Sequence, residues 1–277
     1  MNAKAAAFFR YPLVWAILGF LLLVLCNGLL APIPGSSGGA ALIVLLSLLS
    51  IAAYSAVYLL VMKKIARRPV PELSTQRAGR ETLLGIGTGL LFIGLSVLVI
   101  AIFGGYSFRW APADAAGSLI AGLVLFASAA LFEEMIFRGL LLQAIERIGG
   151  SWIALAATSL FFGAVHLANP SATLLSAAAI AVEAGLLLGA AFLWRRNLWF
   201  VTGLHFAWNA SESLLGIQVS GLDVSGLFEV RVGGSAWLTG GDFGLEGSLV
   251  PVAIGLLLAV FMLSRAKRAG QIKPMRR

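Results

Sequence analysis

Three ionisable side chains, Glu133, Glu134 and Arg138, lie inside the otherwise apolar run Ser118–Ile145. On membrane-insertion scales each such residue costs about 2.5–3.5 kcal/mol at the centre of a helix, so the three cost roughly 7–10 kcal/mol before pairing. Glu134 and Arg138 are four residues apart and can form an ion pair on one helix face. Glu133 lies about 100° round the helix and faces another neighbour. If Arg138 holds one carboxylate ionised, the other is available for proton transfer, and the group predicts a functional site.

The two histidines of the chain also lie in apolar runs. His166 closes the pattern Phe-x-x-x-His, and His205 opens the pattern His-x-x-x-Asn, which puts His205 and Asn209 on one helix face. A lone intramembrane histidine is more often a structural hydrogen-bonding residue than a ligand. Ionisable residues in membrane helices nevertheless face the bundle interior and mark functional sites. The pattern therefore predicts one shared site containing Glu133, Glu134, Arg138, His166, His205 and Asn209, with Glu183 near it. Glu212 and the acids of the later loop are expected to be solvated.

The composition is that of a membrane protein that crosses the bilayer several times. The chain has 277 residues, of which 60% are hydrophobic and 12% are charged, and its mean hydropathy is +0.95. Soluble domains are typically about 45–50% apolar and about 25% charged. The net charge of +8 comes from basic residues in short loops between apolar runs, so nucleic acid is excluded as a partner and the lipid bilayer is expected. A single cysteine, Cys26, excludes an intrachain disulfide.

Apolar runs of about 20 residues predict an all-α bundle of about eight transmembrane helices, forming one membrane domain over residues 1–277. All but three of the 20 Lys and Arg residues fall on one side of these spans. The positive-inside rule therefore places both termini in the cytoplasm. The alternation at Phe228–Val232 indicates a short strand in the longest outer loop. The spans are Tyr11–Leu30, Ala41–Met62, Leu83–Phe103, Ser118–Ile145, Trp152–Leu167, Thr173–Trp194, Leu198–Ile217 and Leu249–Leu263.

Straight helices at 1.5 Å per residue would leave the two histidines at different depths. His205 would lie about 10 Å from the cytoplasmic edge, and His166 more than about 20 Å from it. The sequence therefore predicts that the fifth span is displaced, kinked or tilted if the two side chains share a site.

The combination of Glu-Glu-x-x-x-Arg, Phe-x-x-x-His and His-x-x-x-Asn on successive helices resembles the CPBP family. This family contains type II CAAX prenyl endopeptidases and bacteriocin-processing or immunity-associated relatives. The resemblance covers a core of about residues 118–215. The residues that carry it are Glu133, Glu134, Arg138, Phe162, His166, His205 and Asn209.

The resemblance implies an intramembrane endopeptidase that cuts a membrane-associated peptide or protein, and it leaves open whether that substrate is lipidated. On this model Glu133 and His166 activate water, His205 and Asn209 stabilise the oxyanion, and Glu134 with Arg138 holds the geometry. Members are called metalloproteases, and two histidines with a glutamate suit zinc. The alternatives are a divalent metal on Glu133, His166 and His205, or the same residues working without metal.

The sequence leaves two other functions open. One is a non-enzymatic immunity or scaffold protein, because the resembling family also includes members without demonstrated protease activity, and fold does not settle the reaction. Buried Glu, His and Arg side chains also serve proton or ion pathways, although no inverted repeat supports a transporter here. The Ala-, Leu-, Gly- and Arg-rich composition predicts a bacterial protein of the plasma (inner) membrane.

Overall fold

The computed structural model describes residues 8–32, 39–111, 115–224 and 226–275, and the side chains of 115–118 are not described. Both chain ends, which the charge pattern assigns to the cytoplasm, lie outside these ranges. The described chain is mostly helical. Its α-helices are α1 Pro12–Leu30, α2 Gly39–Leu60, α3 Ala78–Ile102, α4 Ala115–Glu134, α5 Gln143–Val165, α6 Leu174–Ile180, α7 Leu187–Arg195, α8 Leu198–Leu214, α9 Ala236–Thr239 and α10 Leu249–Arg268.

The predicted all-α polytopic bundle is confirmed. Among the described residues, six helical stretches are long and apolar enough to cross a membrane. One of them, Leu119–Ala168, is 50 residues long and contains the predicted fourth and fifth spans, which separate at Gly150, where φ is 79° and ψ is 173°. Helix α8 has 17 residues and is not among these six. The count of eight spans and the cytoplasmic termini therefore stay predictions.

Within the described ranges, three π-helical segments interrupt the helices, at Val61–Ile65, Met135–Leu142 and Ala181–Leu186. The π-helix is rare, occurs mostly as single turns inside α-helices and is frequent at functional sites. The second segment follows Glu134 directly and contains Arg138, and the third contains Glu183. Two of the three segments thus carry intramembrane charges that the sequence singled out.

Contacts at the ends of the helices and between the two strands define two opposite faces of the bundle. On the basic face, ion pairs join Glu81 to Arg195 and Glu146 to both Arg196 and Lys273. On the sheet face, strand β1, Tyr106–Trp110, pairs antiparallel with β2, Phe228–Val232, and Tyr106 lies opposite Val232. The short strand predicted at Phe228–Val232 is therefore confirmed.

Close packing of α3 against α8 positions the helix that carries His205 and Asn209. Gly85 lies against the Phe200 carbonyl and Gly203 lies against the Thr82 carbonyl, so closely that a Cβ atom at either glycine would overlap the backbone of the other helix. Small residues at helix interfaces allow this approach in membranes, where packing rather than hydrophobicity drives association. The aromatic rings of Phe92 and Trp208 also meet at 4.7 Å in this interface. Helix α8 is thus fixed tightly to α3.

Candidate active site

Glu134, Arg138 and His205 form a buried ionic group at the centre of the bundle. Glu134 Oε1 accepts hydrogen bonds from Arg138 Nη1 and from His205 Nδ1, each at 2.8 Å. Arg138 Nη2 donates to the carbonyls of Ala184 and Gly185 at 3.1 and 3.2 Å. The side chains of Glu134 and Arg138 are 0% and 1% exposed. The i,i+4 pair that the spacing predicted is present, and its partners offset the desolvation of both charges.

Aromatic rings complete this group. The Arg138 guanidinium carbon lies 4.8 Å from the centroid of Phe162. An arginine over an aromatic face is stabilised by about 2 kcal/mol when the contact is desolvated. The Phe162 ring also lies 4.7 Å from the ring of His166 and 6.2 Å from that of His205. The phenylalanine of the Phe-x-x-x-His pattern therefore packs against the arginine and between the two histidines.

The π-helix after Glu134 has its own hydrogen-bonding partners. The Gly139 carbonyl accepts from Gln143 Nε2 at 2.9 Å and from the Tyr58 hydroxyl at 3.2 Å. Tyr58 also donates to Glu72 at 2.6 Å. A Cβ at Gly139 would lie 2.6 Å from the Tyr58 ring, so glycine is required for this contact. Side chains from α2 and the following loop therefore support the turn that carries Arg138.

Glu133 faces a cavity of about 350 Å³ beside the ionic group. Its Oε2 atom lies 3.8 Å from His205 Nε2 and, among the described residues, has no hydrogen-bond partner. His166 and Asn209 line the same cavity. Its apolar wall is formed by residues such as Phe132 and Phe137. Three of the six predicted site residues thus line one cavity, and the other three form the buried group behind it.

His166 reaches this cavity because it follows the last residue of α5 in a short 3-10 turn, His166–Ala168. His166 Nδ1 lies 2.7 Å from the Phe162 carbonyl, which can only accept, so Nδ1 carries a proton, and Nε2 can accept when the ring is neutral. The Phe162 ring lies beside both histidines. At His205, Nδ1 donates to Glu134, so Nε2 carries a proton only when the ring is an imidazolium.

The prediction that Glu212 and the later loop acids are solvated is wrong for Glu212 and Glu246, which are 0% and 4% exposed. The spacing could have indicated Glu212, since it lies seven residues after His205, on the same helix face. Glu183 is also fully buried, and neither oxygen of Glu183 or of Glu212 has a hydrogen-bond partner among the described residues. Arg138 contacts backbone carbonyls beside Glu183 rather than its carboxylate.

Glu246 belongs to the loop of the sheet face. It accepts a hydrogen bond from Ser220 Oγ at 2.5 Å, and Ser220 lines the cavity. Burial raises the pKa of Glu246, although the hydrogen bond from Ser220 and the two histidines oppose that shift. No sequence motif indicated Ser220 or Asn169 as cavity residues, because both lie in loops whose course depends on the fold.

The ligand set proposed for a divalent metal is not preassembled. Among the described residues, no three His, Cys, Asp or Glu side chains are arranged to hold a metal ion. Glu134 engages Nδ1 of His205, and a carbonyl engages Nδ1 of His166. Each ring therefore retains only Nε2 for a ligand.

Residues 115–211 match the model of a protein family described as type II CAAX prenyl endopeptidase Rce1-like. The match contains all three motifs and overlaps the core predicted at 118–215. No curated protein and no solved structure shows a significant match to the chain.

Proposed function

We propose that this chain is an intramembrane endopeptidase that hydrolyses a peptide bond of a membrane-associated peptide or protein, and the match of residues 115–211 to the type II CAAX prenyl endopeptidase Rce1-like family supports this proposal. The observation that carries the proposal is the position of Glu133. Of the described residues that line the cavity, only Glu133 has a carboxylate. One oxygen of this carboxylate has no hydrogen-bond partner among the described residues, and His166 and Asn209 line the same cavity. Such a group is suited to act as a general base on a bound water.

The proposed reaction begins with a water held between Glu133 and Nε2 of His166. Glu133 takes a proton from this water as its oxygen attacks the substrate carbonyl, which gives a tetrahedral intermediate with a negative oxygen. The protonated Glu133 then transfers the proton to the leaving amine, and the C–N bond breaks. Proton transfer by a positioned carboxylate contributes typically about 10²–10⁴-fold to such a rate.

Asn209 and His205 are proposed to stabilise the oxyanion. The Asn209 amide lines the cavity, and the imidazolium form of His205 would present Nε2–H toward it. Removal of one oxyanion donor typically costs about 2.7–4 kcal/mol of transition-state stabilisation. Because Glu134 binds Nδ1, it fixes the orientation of the His205 ring, and the hydrogen bond from Arg138 holds Glu134 in place. We propose these two as positioning residues rather than reacting groups.

The proposed substrate class follows from the lining of the cavity and from the membrane in which the protein is proposed to work. Apolar walls beside a single carboxylate favour a peptide that presents apolar side chains or an attached lipid next to the cleaved bond. We propose that the protein works in the plasma membrane of a bacterium, where a prenylated cytosolic protein is not the expected substrate. A non-catalytic immunity or scaffold role is the competing function.

The first test identifies the substrate in membranes. Cells that express wild-type protein, Glu133→Gln or Glu229→Gln are compared by mass spectrometry for new peptide termini in membrane proteins. Glu229 is the matched control because its side chain is 61% exposed and lies far along the chain, on strand β2. We expect termini that appear with wild type and Glu229→Gln and disappear with Glu133→Gln. A cellular phenotype that survives both Glu133→Gln and His166→Ala, without any such terminus, would favour the scaffold role.

Metal dependence is decided on the same substrate. Purified protein is treated with a chelator, and zinc is then added back. Loss and zinc-dependent recovery of cleavage would indicate a metalloprotease whose ligands assemble only on binding. Cleavage that is unchanged by chelation would support the metal-independent use of Glu133 and His166.

A further inference from the structure

The cavity lies nearer to one face of the bundle than to the other. Helix α8 starts at Leu198, next to the basic face, and ends at Leu214, whose carbonyl accepts from Leu227 on the sheet face. Asn209 is five residues from the sheet-face end and eleven from the basic end. At 1.5 Å per residue these separations are about 7–8 Å and about 16 Å.

Helix α5 also brings its cavity residue closer to the sheet face than to the basic face. After the break at Gly150, Ser151 N–H donates to the Lys273 carbonyl on the basic face. The helix then runs to Val165, so His166 lies about 22 Å along it from Ser151. Three residues later, Asn169 Nδ2 donates to the Ser220 carbonyl on the sheet face at 3.0 Å. Both helices therefore bring their cavity residues toward the sheet face.

A tight turn from the sheet-face loop forms part of the cavity wall. Val219 and Leu222 exchange two backbone hydrogen bonds, and the residues between them, Ser220 and Gly221, have φ of 50° and 79°. The turn is anchored by Ser220 Oγ on Glu246, and the Gly221 N–H donates to the Phe243 carbonyl at 2.8 Å. Val219, Ser220 and Leu222 line the cavity, and Leu222 is 47% exposed.

On the opposite side the cavity is closed by packed side chains. Arg138 and the fully buried Leu140, Leu142 and Leu188 lie in or against the helices that continue from the site toward the basic face. The cavity at the basic face, lined among others by Arg10, Glu146 and Lys273, shares no residue with the one that contains Glu133.

From this arrangement we infer that the catalytic cavity takes its substrate from the sheet face, opposite the Lys- and Arg-rich basic face. The positive-inside rule makes the sheet face extracytoplasmic. The substrate class is then an exported or secreted membrane-associated peptide, whose cleaved bond lies about 7–14 Å inside the end of α8, at the depth of Asn209 and His205. A cytosolic carboxyl-terminal tail would meet the closed side. The access route stands on the geometry alone, whereas the substrate class rests on the proposed peptidase activity.

The face from which the cavity is accessible is tested by cysteine labelling, which does not require peptidase activity. In a Cys26→Ala background, Ala129→Cys places a thiol on the cavity wall, one helical turn before Glu133. Val232→Cys marks the sheet face and Lys267→Cys marks the basic face, and both residues are exposed. Each variant is treated with a membrane-impermeant cationic methanethiosulfonate in spheroplasts and in inverted vesicles.

We expect Ala129→Cys to react from the same side as Val232→Cys, which is the outside of spheroplasts. Reaction only from the side of Lys267→Cys, or reaction from neither side, would overturn the access route. If both control residues react from the reverse sides, the extracytoplasmic assignment is overturned.

The substrate class is tested with the peptide identified by its new terminus, added to sealed proteoliposomes of known protein orientation. We expect cleavage in proportion to the fraction of molecules whose sheet face is outward. Cleavage in proportion to the inverse fraction would overturn the inference. No cleavage in any preparation, together with labelling of Ala129→Cys from the sheet face, would overturn the peptidase and the substrate class while supporting the access route.

Discussion

Replacement of Arg138 by methionine should be among the most destabilising single changes in the bundle. The guanidinium is 1% exposed and makes one ionic and two backbone hydrogen bonds at 2.8, 3.1 and 3.2 Å. Arg138→Met preserves much of the side-chain volume but leaves the Glu134 carboxylate buried without its cation. Removing one partner of a buried pair costs about 3–5 kcal/mol, mainly because the other charge is left uncompensated.

The double variant separates this explanation from simple loss of packing. In Glu134→Gln/Arg138→Met no uncompensated charge remains, and the side-chain oxygen of the introduced glutamine can still accept from His205 Nδ1. We therefore expect the double variant to recover a large part of the roughly 3–5 kcal/mol. Unfolding free energies are measured by denaturant titration in detergent micelles.

The matched control is Arg109→Met. Its pair with Glu229 lies on the two strands of the sheet face, with side chains that are 60% and 61% exposed, so about 1 kcal/mol or less is expected. The explanation is refuted if Arg138→Met costs no more than Arg109→Met. It is refuted equally if the double variant is as unstable as the sum of the two single variants.

Three further changes test other parts of the structure. Gly85→Ala should destabilise the protein by more than about 1 kcal/mol because the new Cβ would overlap the Phe200 carbonyl in the α3–α8 interface. Gly94→Ala is the control, since Gly94 has open space around it, and it should be neutral or slightly stabilising. The two variants are compared by thermal unfolding. Tyr58→Phe should lower the unfolding free energy by about 1–3 kcal/mol because the Gly139 carbonyl and the Glu72 carboxylate each lose a hydrogen-bond donor. Equal stability of the two proteins would contradict this. Burial raises the pKa of Glu246 in the folded protein, so its contribution to stability is full at low pH and is lost as pH rises through that pKa. The unfolding free energy of wild type relative to that of Glu246→Gln should therefore fall as pH rises from about 4 to about 8. A difference in unfolding free energy that is constant or increases over this range would contradict the raised pKa.

Several parts of the site could be predicted because they depend on local spacing. The four-residue separation of Glu134 and Arg138 predicts their ion pair, since i and i+4 residues share a face whatever the surroundings. The same rule places His205 and Asn209 together on α8. The apolar runs predict the membrane bundle for a similar reason, because length and composition alone decide whether a helix can span the bilayer.

Other parts depend on tertiary contacts and could not be predicted in this way. The π-helix at Met135–Leu142 is supported by Tyr58, which is distant in sequence. The Val219–Leu222 turn reaches the cavity only because Asn169 and Glu246 hold it. The burial of Glu246 follows from the course of a long loop, and a charged residue in a loop is ordinarily expected to be solvated.

The central claim is that Glu133 activates the attacking water. Its most direct test is the cleavage rate of purified wild-type protein, Glu133→Gln and Glu229→Gln on the peptide identified by its new terminus, measured under single-turnover conditions. We expect Glu133→Gln to lower the rate of the chemical step by about 10²–10⁴-fold, while Glu229→Gln retains the wild-type rate. Cleavage by Glu133→Gln at the wild-type rate would contradict the claim.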